Sequence, residues 1–515
     1  MNMSMTTAIV GWTGLLGQTL VSKLPYADRY NSSNIQDLTG KSYDIVYFCG
    51  MPAEKWRINQ NSEPDYANTQ ALIRVLKTVT ATRFVLISTV DVLDCSVSQD
   101  ETGTKYATHP YGQHRHLLER FVSEQFPAHT IVRLPGLFGK GLKKNSIYDF
   151  IYDNQISNIC LDSEFQWYNI ETILQDIHVC INEERSCVQL VSPPISVRTI
   201  IESFFPEKIA DAIGTNCATY NLITNSRASG YWTDTHSILN DMGNYIRCEK
   251  AIRNLPVTLA VSNIAWNHGA FDDIQKVLAH NRVRTIEIAP TKIADWQDWT
   301  EDQIHTLKSL KAPFVSFVSC QSILFNTDIH NIFLDKVRLI EHYDRVASIC
   351  NKLGISTIVF GSPKARHRMD TTEYDAVDLF RTLGQIGEKY GVICCLEPNA
   401  TAYGCTWLTT LSDTVDFVKK VDHAFVRITY DLGNYLMEKD TFVWNPESID
   451  LIGHVQVSNA FLKPIHTLSC DIRHAYSKQL RDILALGYSK RVSMEMGESS
   501  ITDLIQSVAA FTKLF

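Results

Sequence analysis

Short apolar runs rich in β-branched and aromatic residues recur along the chain, separated by segments with helical periodicity. The first half opens on "TAIVGWTGLLGQTLVSKL", a strand that passes into a helix. "YDIVYFCG" and "RFVLISTV" are bounded by polar residues, the pattern of buried parallel strands. Between them, "DYANTQALIRVLKTVTA" repeats its apolar positions at helical spacing. The alternation fades from about residue 215 to 253, which reads as a polar connection with one short helix. A domain boundary near residue 250 follows, with domains at 1–250 and 251–515.

The second half carries eight β-rich runs: "VTLAVSNIAW", "VRTIEIAP", "PFVSFVSC", "ISTIVFGS", "GVICCLEP", "FVRITYDL", "GHVQVSN" and "RVSMEMGE". Their spacing of roughly 25 to 40 residues leaves room for one strand, one helix and two loops each. Amphipathic segments such as "NIFLDKVRLIEHYDRVASICNKLG" and "EYDAVDLFRTLGQIGEKYG" fill the intervals. An open doubly wound sheet competes with a closed barrel, but it rarely needs so many units or so many polar strand ends. The expected fold class is therefore α/β, with an N-terminal Rossmann-type doubly wound parallel sheet fused to a C-terminal (β/α)8 TIM barrel.

Length and composition agree with two bodies. A chain of 515 residues is too long for one core, and 45% hydrophobic with 20% charged residues is an ordinary soluble composition. The net charge of -8 gives no reason to expect nucleic acid or an anionic membrane as partner. No stretch is apolar over the ~18 residues that a bilayer demands, and the N-terminus lacks a secretory pattern. The expectation is a cytoplasmic protein, for which a homo-oligomer is compatible. The 13 cysteines are scattered, as at Cys49, Cys160, Cys180 and Cys350; only Cys394 and Cys395 are adjacent. Buried, reduced thiols are expected.

Gly11, Gly14 and Gly17 form G-x-x-G-x-x-G directly after the first strand. In that place the first glycine permits a tight turn, the second lets backbone approach a pyrophosphate, and the third lets helix and strand pack closely. The unpaired N–H groups of the helix start then face the phosphates. The alternative is a tight turn with no ligand. Asp28 lies a little early for the ribose-binding acid, Asn31 and Ser32 sit near the expected place, and Arg29 suits a 2′-phosphate. The cofactor is thus NAD or NADP.

Four stretches, "GWTGLLG", "FVLISTVDV", "HPYGQHR" and "IVRLPGLFGKGLKKN", together resemble the extended short-chain dehydrogenase/reductases, the nucleotide-sugar epimerase and dehydratase family. The resemblance covers about residues 6 to 200. It implies a catalytic set of a Ser or Thr at a strand end, a Tyr, and a Lys four residues later. These fall on Thr89, Tyr111 and Arg115, the last a departure. A phenol with pKa about 10 is a poor base at neutral pH, and a cation one helical turn away lowers it. Arg115 supplies the charge but not a lysine's geometry, and it does not give up its proton. Turnover, binding without turnover and a purely structural role stay open at this point. "EFQWYNIETILQDI" resembles the family's substrate-side segment, which points to a sugar or nucleotide-sugar substrate.

In the second half, four oxygen-bearing side chains stand at the ends of successive apolar runs: Glu397, Asp431, Gln456 and Glu495. Barrels place their active sites at those ends. Three carboxylates converging there would repel one another without a cation. The alternative is a polar cluster neutralised by Lys364, Arg366 or Arg427. All-oxygen ligation favours Mn or Mg, with Co or Zn as substitutes by availability.

The same residues resemble the xylose-isomerase-like barrels of the sugar phosphate isomerase/epimerase superfamily, over about residues 255 to 515. The resemblance implies Glu, Asp, His and Glu as metal ligands, with Gln in third place in the hydroxypyruvate isomerase branch, as at Gln456. A substrate-contacting His commonly follows the Asp by three residues; here Asn434 stands there. Lys364, Arg366 and Arg368 suit a substrate phosphate or carboxylate, or form a solvated basic loop. His268 and Glu287 are further candidates for substrate contact, each with a structural alternative.

The chemistry implied is proton transfer next to a carbonyl, with Glu397 and Glu495 as the acid and base. The whole chain then reads as a carbohydrate enzyme whose barrel isomerises or epimerises a sugar or sugar phosphate, and whose N-terminal domain binds NAD(P) and acts on a related sugar. The runner-up makes the N-terminal domain a non-catalytic dinucleotide-binding or regulatory module. DNA repair at abasic sites, known among barrels of this shape, is disfavoured by Gln456, Asn434 and the acidic net charge.

Overall fold

The protein, described by a computed structural model over residues 5–267, 271–309, 316–368 and 371–515, divides into two units, Met1–Arg253 and Asn254–Phe515. His268 lies outside the described residues. Among the described residues no helix is long and apolar enough to cross a membrane.

The first unit is built on six parallel strands: Thr7–Val10, Asp28–Tyr30, Ser42–Phe48, Thr80–Thr89, His129–Leu134 and Cys187–Gln189. Their spatial order is second, first, third, fourth, fifth, sixth, so the direction of progression reverses at the first strand. In such sheets a crevice opens at the carboxyl ends of the strands where the order reverses. Phe48, Phe84 and Phe126 stack through the core beside the sheet. A second apolar cluster gathers Phe138, Phe150, Trp167 and Phe205 around two short strand pairs.

Two sequence expectations are corrected in this unit. The stretch before residue 253 is no polar connection with a short helix: Thr235–Arg253 is a 19-residue helix. Its Ile238, Met242 and Ile246 recur every four residues and pack into the second apolar cluster. Nor are all the cysteines reduced. Cys160 and Cys217 form a disulfide with Cα atoms 5.4 Å apart. The segments carrying them run side by side, with Gly214 N–H donating to the Ile159 carbonyl and Glu164 N–H to that of Ala218.

The second unit is a closed barrel of eight parallel strands: Thr258–Ser262, Thr285–Ile288, Ser316–Cys320, Thr357–Phe360, Ile393–Leu396, Val426–Asp431, Ile452–Ser458 and Arg491–Glu495. Each of the eight expected runs contributes one of these strands, the third from Ser316 on. The helices between them follow their apolar spacing. In Lys336–Leu353 the buried face is Leu339, Tyr343, Val346, Ala347 and Cys350, and the helix stops at Gly354, whose φ of 76° lies in the left-handed region. Strand pairing sets Asp431 beside Gln456, and Ser458 beside Glu495. Register alone thus brings the acidic strand ends to one rim.

Candidate functional site

At the carboxyl rim of the barrel, Glu397, Asp431 and Glu495 each offer a carboxylate oxygen within 4.8 Å of the others, and all three are buried. Asp431 caps the helix Leu432–Met437, accepting from the N–H groups of Gly433 (2.6 Å) and Asn434 (3.3 Å). Ser458 Oγ donates to the same carboxylate at 2.7 Å. Gly433 is required for that closeness, because a Cβ there would sit 2.1 Å from Ser458 Oγ. Gly361 does the same for Glu397, whose Oε2 would lie 2.4 Å from an added Cβ.

Asn434 joins the cluster. Its Nδ2 donates to Glu397 Oε1 at 2.9 Å and to Asp431 Oδ2 at 3.2 Å, while its Oδ1 accepts from Ala400 N–H. The position that sequence resemblance gives to a substrate-contacting histidine therefore ties two carboxylates together.

Crowding shows in the acidities. Burial, and then the charge of Asp431, raises the Glu397 carboxyl above the usual range. Burial raises Asp431 too, against hydrogen bonds from Ser458, Gly433 and Asn434 that pull it down. Glu495 is raised well above the ordinary value by burial and by Glu397 and Asp431. Three such groups favour either retained protons or a bound cation.

Gln456 bears on that choice. It is wholly buried, its Nε2 donates to Glu287 Oε1 at 2.9 Å, and its Oε1 has no hydrogen-bond partner. An unpartnered buried acceptor costs about 1–3 kcal/mol, so the free oxygen matches a ligand atom awaiting a hard cation. The three carboxylates are a group of the kind that takes a hard divalent ion, and the Gln456 oxygen is the candidate fourth donor.

Glu287, open between substrate contact and a structural role, is fully buried. It accepts from Ser319 Oγ (2.7 Å), Gln321 Nε2 (3.1 Å), Gln456 Nε2 and Ser493 Oγ (3.1 Å), with His454 Nε2 at 2.7 Å. Burial alone would raise this carboxyl; the His454 charge and these hydrogen bonds outweigh it and hold it below the ordinary range. Its acceptor capacity is used, which leaves none for a substrate hydroxyl. His454, Gln456 and Ser458 alternate along one strand, so period two turns all three inward. That alternation was legible in "GHVQVSN" and would have flagged His454.

The basic residues divide between the alternatives. Arg366 is fully buried and one Nη donates to Asn399 Oδ1 at 2.6 Å, so it belongs to no solvated loop. Its charge pulls the Glu397 carboxyl down. Lys364 is exposed, Arg368 donates to the Thr371 carbonyl, and Arg427 donates to the carbonyls of His423 and Val426 at the far end of its strand.

In the first unit, the glycine loop lies at the switch point of the sheet. Gly11 has φ of 82°, and a Cβ there would meet the Cys49 carbonyl oxygen at 2.5 Å. At Gly17 a Cβ would meet the Gly11 oxygen at 2.1 Å, so these two glycines are demanded by the turn itself. Gly14 differs: an added Cβ meets only the Gly11 oxygen, at 3.3 Å. It begins the helix Leu15–Lys23 without any side-chain cap, leaving the helix start open to a phosphate. Nearby, Asp28 accepts from Tyr43 Oη (2.6 Å), and Arg29 lies over the Trp12 ring and donates to the Pro25 carbonyl.

Tyr111 is in the first turn of the helix Pro110–Gln125, which His109 caps by accepting from Gly112 N–H. A Cβ at Gly112 would meet the Asp91 oxygen at 2.3 Å, so glycine lets this helix press against the loop after the fourth strand. Thr89 ends the fourth strand, and its hydroxyl oxygen accepts from Asp91 N–H at 3.2 Å. Arg115 lies under the Tyr111 ring, 4.5 Å from its centroid, and its Nη1 is 2.7 Å from Asp65 Oδ2. Its Nη2 donates to the Pro52 carbonyl. Arg115 lowers the Tyr111 pKa, as helical spacing leads one to expect, but burial outweighs it and the net direction is up.

Sequence reasoning missed the polar group beside Thr89. Lys55 Nζ donates to Asp91 Oδ1 at 2.6 Å and to Tyr220 Oη at 3.0 Å, and the Tyr220 hydroxyl donates to Asp91 at 3.0 Å. Lys55 also lowers, and Asp91 raises, the Tyr111 phenol. Lys55 and Tyr220 are 165 positions apart, so no local pattern joins them.

The family model described as "Xylose isomerase-like TIM barrel" matches residues 271–513, and the second unit is such a barrel. No curated protein matches the chain. Among solved structures, the chain is similar to D-psicose 3-epimerase from Clostridium cellulolyticum H10, at 16% identity and TM-score 0.40, covering 50% of this chain and 96% of that one. It is similar to 3-keto-D-glucoside 4-epimerase from E. coli, at 16% and 0.39, covering 50% and 99%. It is also similar to UDP-N-acetylglucosamine 4-epimerase from Methanobrevibacter ruminantium M1, at 11% and 0.40, covering 49% and 99%.

Proposed function

We propose that the chain is a two-domain carbohydrate enzyme whose barrel isomerises or epimerises a sugar or sugar phosphate with a divalent cation. The observation that carries this reading is the set of three buried carboxylates beside the unpartnered Gln456 oxygen. Glu397, Asp431, Gln456 and Glu495 would hold the ion. When bound, a divalent cation supplies positive charge that stabilises negative charge developing on substrate oxygens.

The protein's own residues handle the proton. Glu397 and Glu495 come from the fifth and eighth strand ends, so they reach a bound sugar from different sides. One takes the proton next to the carbonyl and the other returns it, to the same carbon for epimerisation or its neighbour for isomerisation. Asn434 keeps Glu397 in place by donating to its Oε1. The test is metal analysis of the purified protein beside Glu397→Gln and Glu495→Gln. Each substitution should deplete the ion; full metal content in both variants sinks the site.

The N-terminal unit, in this reading, binds NAD or NADP through Gly11, Gly14 and Gly17 and the open helix start. A bound nicotinamide supplies hydride transfer, while Thr89 and Tyr111 orient and exchange the proton of a sugar hydroxyl. A second reading keeps the dinucleotide and drops turnover. It is favoured by Arg115, whose donors point to Asp65 and Pro52, and by a Tyr111 phenol held in its protonated form. An absorbance change at 340 nm with candidate sugars supports the first reading; bound NADH that never turns over supports the second.

A further inference from the structure

Glu287 and Gln456 come from the second and seventh strands and meet within the barrel, 169 positions apart. Neither exposes any surface. Around the Glu287 carboxylate stand hydroxyls of Ser319 and Ser493, the Gln321 amide, His454 Nε2 and Gln456 Nε2. A carboxylate is an acceptor only, so it dictates which end of the Gln456 amide it faces. The flipped amide would set oxygen against carboxylate oxygen and strip the Nε2 of its partner. With the nitrogen so engaged, Oε1 is left unpartnered in the interior. On one neighbouring strand Gln456 is paired with Asp431, so its side chain belongs to the same rim as the three carboxylates.

We propose that Glu287 is a positioning residue that locks the Gln456 amide with its oxygen presented to the cation held by Glu397, Asp431 and Glu495. The inference rests on the metal reading above and goes beyond it. It assigns the identity of the fourth ligand atom to a residue that touches neither ion nor substrate. The arrangement also explains why an amide serves here. It adds an oxygen without adding a fourth negative charge to a crowded site. Partners of this kind, one step back from the ligands, commonly change metal affinity by 10–100-fold when mutated.

The experiment titrates the full chain with Mn2+ by calorimetry, with folding followed by circular dichroism and thermal melting. The variants are Glu287→Gln, Gln456→Leu and the two combined. Folded Glu287→Gln should bind Mn2+ about 10–100-fold more weakly, since an amide at 287 no longer selects the orientation at 456. Gln456→Leu should lose a similar factor. The combination should bind no more weakly than Gln456→Leu alone, because Glu287 acts through position 456. Unchanged affinity in folded Glu287→Gln overturns the proposal, and so do fully additive losses. Should Glu287→Gln fail to fold, Glu287→Asp stands in, since its shorter side chain draws the carboxylate back from Gln456 Nε2. Weaker Mn2+ binding in Glu287→Asp, with Glu287→Asp/Gln456→Leu no weaker than Gln456→Leu, supports the proposal, and wild-type affinity in folded Glu287→Asp overturns it. Wild-type protein that takes up no Mn2+ is a different failure: it removes the metal reading and this inference with it.

Discussion

Arg115 and Asp65 form a buried, two-pronged ion pair, Nη1 to Oδ2 at 2.7 Å and Nη2 to Oδ1 at 3.2 Å. His114 Nδ1 approaches the same Oδ2 at 2.7 Å. The arginine thereby braces the helix Pro110–Gln125 against the helix Glu63–Leu76 and carries the Tyr111 ring on its face. A planar fork suits that bracing where a lysine ammonium would not.

Removing one partner leaves an uncompensated charge in the interior. Asp65→Asn should therefore destabilise the first unit by about 3–5 kcal/mol. Arg115→Lys keeps the charge but loses the two-pronged geometry and should cost less. Urea unfolding of both variants checks the order.

Glu119 predicts an acid limb of stability. It is buried against Arg133, whose Nη2 lies 2.7 Å from its Oε2, and Ser88 donates to it at 2.6 Å. Burial raises its carboxyl, but His116 at 4.0 Å, hydrogen bonds from Arg133 and Ser88 and the Arg133 charge leave it below its ordinary value. A depressed folded pKa means stability that is present above the unfolded value and lost as pH falls through the folded one. Unfolding free energy should thus decline below about pH 4.5. Glu119→Gln should remove part of that slope and cost about 3 kcal/mol at neutral pH. A slope unchanged by the substitution would assign the acid limb to other groups.

Two glycines of the first loop separate turn from ligand. Gly17→Ala puts a Cβ 2.1 Å from a backbone oxygen and should lower the melting temperature with or without dinucleotide. Gly14→Ala meets only one atom, at 3.3 Å, and should fold. If the loop cradles a pyrophosphate, Gly14→Ala loses NADH affinity at least tenfold in a fluorescence titration. Unaltered NADH binding would leave the loop as a turn alone.

Gly433→Ala tests the barrel rim in the same way. Its Cβ would strike Ser458 Oγ, the donor to Asp431, at 2.1 Å. Overpacking of this kind costs about 1–3 kcal/mol. Mn2+ uptake should fall by more than that loss of stability accounts for, because Asp431 is displaced along with its donor.

Cys160 and Cys217 close a loop of 57 positions. Denatured, unreduced protein should offer eleven of its thirteen thiols to an alkylating reagent. Reduction should lower the stability of the first unit by about 2–4 kcal/mol. Thirteen reactive thiols without reductant would disprove the bond.

The sequence determined most of the elements and which residues stand at the strand ends. Eight apolar runs at regular spacing favoured a closed barrel over an open doubly wound sheet, and acidic residues at strand ends converge once a barrel closes. Glycines after a first strand announce a sharp turn into a helix for the same local reason. Tertiary structure decided what those residues are bonded to, since the partners lie far apart in the chain. Arg115 reads as a neighbour of Tyr111 by helical spacing, yet its charge is matched by Asp65, fifty positions away. Glu287 reads from its strand-end position as a substrate contact or a structural residue alike; His454, Ser319, Ser493, Gln321 and Gln456 use up its oxygens and decide for the second. Periodicity tells which way a side chain points; only the closed fold sets which opposite group meets it there. For buried charges and amides, that meeting fixes protonation, orientation and the atom left for a ligand.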